Sequence, residues 1–105
     1  MSGSGGGGYE PPQKAKFDCN TGVIITMVSS VEISVLEKHK VGDIFDLVIG
    51  EKGALLMEDG DGEFIGAILH SNTTDIINCI ESGVNYKAKI LSISSPSCKV
   101  KIYRG

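Results

Sequence analysis

Phe64-Ile65-Gly66-Ala67-Ile68-Leu69 carries no polar side chain, whereas the other apolar stretches of the chain mostly alternate with polar residues. A short continuous apolar run of this length reads as a strand buried on both faces. The stretch before it, Glu58-Asp59-Gly60-Asp61-Gly62-Glu63, is a hairpin signal, and His70-Ser71-Asn72-Thr73-Thr74-Asp75 after it reads as the start of a helix. Gly66 is the exception in a bulky strand and marks a bulge, a tight bend or the close approach of another backbone.

Working outward, Ala54-Leu55-Leu56-Met57 pairs through the Asp-Gly hairpin with this central strand. Upstream, Phe45, Leu47 and Ile49 share one parity of a strand over 44–49, and Gly50-Glu51-Lys52-Gly53 turns the chain between the two. Val23-Ile24-Ile25-Thr26-Met27-Val28 is rich in β-branched residues, and Val31, Ile33 and Val35 alternate with Glu32 and Ser34, so this region reads as two short strands or one long bent one. Leu36 to Asp43 is a polar loop with room for a short helical turn.

Downstream, the spacing predicts a helix over about 73–82. Ser71, Asn72 or Thr73 caps it, Gly83 stops it, and Ile76, Cys79 and Ile80 form its packing face. The chain closes with a hairpin, 84–94 and 98–103, through Ser95-Pro96-Ser97. The pattern as a whole predicts a mostly β domain, a small antiparallel barrel or strongly curled sheet of six or seven short strands with one α-helix. Phe64, Ile68, Ile76, Ile80, Ile90 and Val100 are expected to be buried together in its core.

With 105 residues, 41% of them hydrophobic, the chain has enough material for one domain with one modest core. That domain is expected over 17–105. Residues 1–16, Gly/Ser-rich and then Pro-rich, read as a flexible leader or linker. They lack the charge and apolar block of a signal peptide, and no apolar run approaches the roughly 20 residues a bilayer demands. Cys19, Cys79 and Cys98 cannot all pair within one chain and match no short zinc pattern. Reduced thiols in a soluble cytoplasmic protein, with no membrane association, are the expectation.

Motifs for chemistry are scarce. Asp59, Asp61 and Glu63 alternate as in a calcium loop, but the sixth position is Phe64 rather than glycine and the twelfth is His70 rather than glutamate. A hairpin turn with solvated charges is the better reading, and no metal or cofactor is expected. His39 and His70 lie in no nucleophile signature, although His70 stands where an anion at a helix N-terminus would meet it. No glycine cluster matches a phosphate loop. The expectation is a binding module without catalytic residues, not an enzyme.

Charge supplies the candidate surface. The formal net charge is -3, yet over 84–105 Lys87, Lys89, Lys99, Lys101 and Arg104 meet no acidic residue, giving +5. Over 17–83 twelve acidic side chains face only Lys38, Lys40 and Lys52, giving -9. Strand parity places Lys87 and Lys89 with Lys99 and Lys101 on one outer face, where they would follow a phosphate backbone with Tyr86 or Tyr103 near enough to stack a base. The expected ligand is single-stranded nucleic acid or another phosphate bearer. The alternative is a small protein-interaction or structural module in which the lysines only solvate the strands and a free strand edge pairs with a partner protein.

Gly62-x-x-Ile65-Gly66-Ala67-Ile68-Leu69, the helix ending Cys79-Ile80-x-x-Gly83-x-x-Tyr86-x-Ala88, and the closing hairpin resemble the second half of HIRAN domains, small barrels attached to helicases and nucleases. The resemblance covers about residues 54–104 and implies a barrel and an accessory role beside nucleic acid. The first half departs from the family. HIRAN domains carry paired aromatics and an asparagine-proline-aspartate segment that receive a single-stranded DNA end, where this chain has Ser29-Ser30 and Gly50-Glu51-Lys52-Gly53. Those two features are not carried over.

Overall fold

The computed structural model describes residues 17–105, and the leader expected over 1–16 lies outside the described residues. Six strands form a closed antiparallel barrel. In chain order they are β1 (Ile24–Ser29), β2 (Ile44–Ile49), β3 (Leu55–Glu58), β4 (Phe64–Ile68), β5 (Tyr86–Ser94) and β6 (Ser97–Arg104). Around the barrel they run β1-β4-β3-β2-β5-β6. Because every neighbouring pair is antiparallel, one end gathers the starts of β1, β3 and β5.

Each end is closed by a helix. α1 (Ile33–Leu36) joins the end of β1 to the start of β2 and contributes Val35 and Leu36 to the core. α2 (Thr73–Glu81) joins β4 to β5 at the opposite end and contributes Ile76 and Cys79. Gly83, at φ +105°, ends α2. Its N–H donates to Ile80 C=O and that of Val84 to Cys79 C=O, the paired 5→2 and 6→1 bonds of a Schellman stop.

α1 corrects the strand expected over Val31, Ile33 and Val35. Ser30 takes a left-handed φ of 53°, which turns the chain out of β1, and the Glu32 carbonyl then accepts the N–H groups of Val35 and Leu36. Adjacent Val35 and Leu36 are both buried, a placement that a strand's two-residue period forbids.

β4 also differs from the strand expected to be buried on both faces. Met57 opposes Gly66 while Glu58 opposes Phe64, so Ile65 is the extra residue of a β-bulge. The bulge puts consecutive Ile65 and Gly66 both inside and leaves Phe64 44% and Leu69 69% exposed. Phe64 therefore leaves the expected core. Ile68, Ile76, Ile90 and Val100 are fully buried within it, and Ile80 packs on it half-buried.

Gly66 performs the close approach expected of it. A Cβ there would stand 2.8 Å from the Ser29 carbonyl oxygen and run into the Val28 side chain. Gly66→Ala is expected to cost about 1–3 kcal/mol by forcing β1 away from β4. Urea unfolding checks this, and an unchanged midpoint would show that β1 shifts freely.

Reduced thiols are corrected as well. Cys19 and Cys79 form a disulfide with Cα atoms 5.7 Å apart across a separation of 60 residues, tying the segment before β1 to α2. Cys98 is free and buried, and burial pushes its thiol pKa upward.

Candidate nucleic-acid interface

The alternation that buries Phe45, Ala88, Ile102 and Ile24 turns their sequence neighbours outward. One row of the ladder then reads Ile44, Lys89, Lys101, Ile25 across β2, β5, β6 and β1. The next row places Asp46, Lys87 and Tyr103 in line, and on the other side Lys99 lies between Ser92 and Met27. The structure thus brings Lys87, Lys89, Lys99, Lys101 and Tyr103 onto one outer face, with exposed Ile44, Ile25 and Met27 as aliphatic borders.

The lysines are not equivalent. Lys87 is ion-paired with Asp46. Lys89, Lys99 and Lys101 make no ion pair among the described residues, and Lys101 Nζ stands 5.9 Å from the centroid of the half-exposed Tyr103 ring. Lys89 and Lys101 sit directly opposite each other, an arrangement of like charges that destabilises a sheet unless an anion relieves it.

Two aromatic and basic candidates fall elsewhere. Tyr86 is buried, with its ring centroid 6.0 Å from that of Phe17 and its hydroxyl donating to Cys19 C=O at 2.6 Å, so it is withdrawn from any stacking role. Arg104 has the inward parity of Val100 and Ile102 and reaches Asn20 Oδ1 at 2.9 Å at the barrel's end. The concavity beside Lys87, about 390 Å³, is lined by Asp46 and Glu58 as well and so repels phosphate.

The acidic turn between β3 and β4 is a structural knot. Asp59 Oδ1 accepts the N–H groups of Asp61 at 2.8 Å and Glu63 at 2.9 Å, while Lys38 Nζ holds Glu63 at 2.7 Å. One oxygen of Asp59 and one of Glu63 are thus held by protein donors. His39, from the loop after α1, bridges Asp43 at 2.9 Å through Nδ1 and Asp59 at 3.3 Å through Nε2, with its ring against Phe45. This link has no local sequence signature, because its partners are 4 and 20 residues away. His70 likewise forms a turn, with Nδ1 accepting the Asn72 N–H at 3.0 Å.

The His39 hydrogen bond, with the Lys40 N–H, holds the Asp43 carboxyl below its ordinary range. The Glu63 N–H, aided by Asp61 N–H and His39, does the same for Asp59 against the effect of burial. A carboxyl depressed in the folded state adds stability above its unfolded value, which is lost as pH falls through the folded value. The thermal midpoint is therefore expected to drop below about pH 4. Asp59→Asn keeps an acceptor oxygen but no charge, so it should flatten that drop in thermal melts from neutral to acid; an unchanged profile contradicts the assignment.

Among the described residues, no helix is long and apolar enough to cross a membrane. Comparison with protein-family models, with curated proteins and with solved structures finds no match.

Proposed function

We propose that this chain is a non-catalytic, HIRAN-like accessory domain that binds single-stranded nucleic acid on the outer face of β5 and β6. The observation that carries the reading is the cross-strand juxtaposition of Lys89 and Lys101, with Lys99 beside them and no carboxylate among the described residues to neutralise the three. Phosphates relieve that repulsion, Tyr103 offers a ring to one base, and Ile25, Met27 and Ile44 offer apolar borders. The cytoplasmic placement expected from the sequence rested in part on reduced thiols, and the Cys19–Cys79 bond removes that part of its ground.

Fluorescence anisotropy with labelled oligo-dT across a salt series tests the proposal. Each lysine that neutralises a phosphate contributes about 0.7 to the slope of log K against log salt for single strands, so the three give about 2. Lys89→Gln and Lys101→Gln should each remove about 0.7 of the slope and weaken binding, while Lys87→Gln, whose charge is already met by Asp46, should change it less. Absence of affinity at low ionic strength, where such contacts are strongest, would reduce the face to a solvated lysine ladder.

A further inference from the structure

The barrel is closed unevenly. On its β6 side β1 is paired at Ile24, Ile25, Thr26 and Met27, but on its β4 side only Val28 and Ser29 are paired, with Ile68 and Ala67. In an antiparallel strand, alternate residues send both N–H and C=O to the same side. Alternate residues of 24–27 therefore direct both groups toward β4, where the ladder has stopped. Among the described residues no backbone or side-chain hydrogen bond meets them.

Side-chain burial marks the same opening. Ile24 and Val28, on the inward parity of β1, are buried, but Thr26 between them is half-exposed. Outside, Ile25 is 57% and Met27 45% exposed, with Leu69 at the end of β4 exposed beside them. The seam is thus a short strand edge with an apolar rim, and Lys101 and Lys99 stand one strand away, opposite Ile25 and Met27. At strand spacing that puts both cations within about 10 Å of an added strand, inside the screening length at moderate salt.

We propose that the β1 edge at 24–27 is a docking site for an extended acidic segment of a partner protein, which adds as a strand along β1 past the point where its ladder to β4 stops. Only a polypeptide backbone offers donors and acceptors at the spacing of the idle groups, so the edge selects peptide over nucleic acid or lipid. One face of the added strand turns small apolar side chains toward Thr26 and the core. Its other face turns carboxylates outward, their methylene stems over Ile25 and Met27 and their oxygens toward Lys99 and Lys101. The site is distinct from the nucleic-acid face in what it recognises, since it requires the backbone of β1.

Amide hydrogen exchange, residue by residue, on the full chain tests this. In the free protein, alternate amides of 24–27 should exchange quickly while their neighbours bonded to β6 are slow; slow exchange at all four would mean that the seam is already filled and would overturn the proposal. An acetylated, amidated (Val-Glu)4 peptide at millimolar concentration should slow the fast amides severalfold. The same peptide N-methylated at alternate residues, or (Val-Lys)4 in its place, should not. Equal protection by the N-methylated peptide, or none by (Val-Glu)4, refutes strand addition. Weakened oligo-dT binding in Lys89→Gln tests the nucleic-acid reading and bears on neither of these results.

Discussion

Cys19→Ser is expected to lower the unfolding free energy by about 4 kcal/mol, the chain-entropy value for a cross-link closing a loop of this size. The bond spans a separation of 60 residues, which takes in β1 to β4 and most of α2. Against a total of about 5–15 kcal/mol for a domain, this is a large share. α2 has nine residues and buries only Ile76 and Cys79 fully, so it is too short to persist without its attachments. Urea unfolding of the wild type with and without reductant checks the prediction. The reduced wild type should match Cys19→Ser, whereas Cys98→Ala, which removes the free buried thiol, should keep its sensitivity to reductant. Coincident wild-type curves under the two conditions would mean that the cross-link restrains nothing in the unfolded chain.

Ile68→Ala is expected to cost about 2–5 kcal/mol, because its side chain is wholly inside and the surrounding barrel relaxes little into a cavity. Ile68 opposes Leu55 on one side and Val28 on the other, and its carbonyl accepts the Thr73 hydroxyl that opens α2. Neither strand is free to move inward, since each is ladder-bonded to a further neighbour. Half-buried Ile80 should cost less on truncation, and Phe64→Ala, despite the larger side chain, about 1 kcal/mol or below. Chemical denaturation of the three variants checks the order, and a larger loss at Phe64 than at Ile68 would invert the inside and outside of β4.

The sequence announces the barrel wherever apolar periodicity and turn chemistry agree. The Asp-Gly turn, the closing hairpin and the helix with its Gly83 stop appear where they were read. Gly66 was legible as a close approach because only a missing Cβ fits there. A bulge was legible too as a reading of Gly66, but not that it would turn Phe64 outward, and without that turn six apolar residues in a row imitate a strand buried on both faces. Val31, Ile33 and Val35 misled by the same logic, since alternation over five residues cannot register the left-handed Ser30 that ends β1. The lysine face was legible from parity, but parity does not say that Asp46 would consume Lys87 or that the end of the barrel would claim Arg104. The disulfide and the His39–Asp59 contact were out of reach because both join residues that only the closed barrel makes neighbours.

The place of that disulfide also governs how the domain carries load. β1 and β6 are antiparallel neighbours, with Ile24 opposite Ile102, so the start of one and the finish of the other lie at the same end. Tension applied directly across those two points would peel their ladder apart one bonded pair at a time, the weak direction of a sheet, instead of shearing all pairs together. Cys19 lies outside that ladder on the upstream side and is bonded covalently to Cys79. A pull from upstream therefore passes through Cys79 to the start of β5, where Tyr86 stands opposite Arg104, so the bond leaves β1 slack and moves the peeling from the β1–β6 ladder to the β5–β6 hairpin.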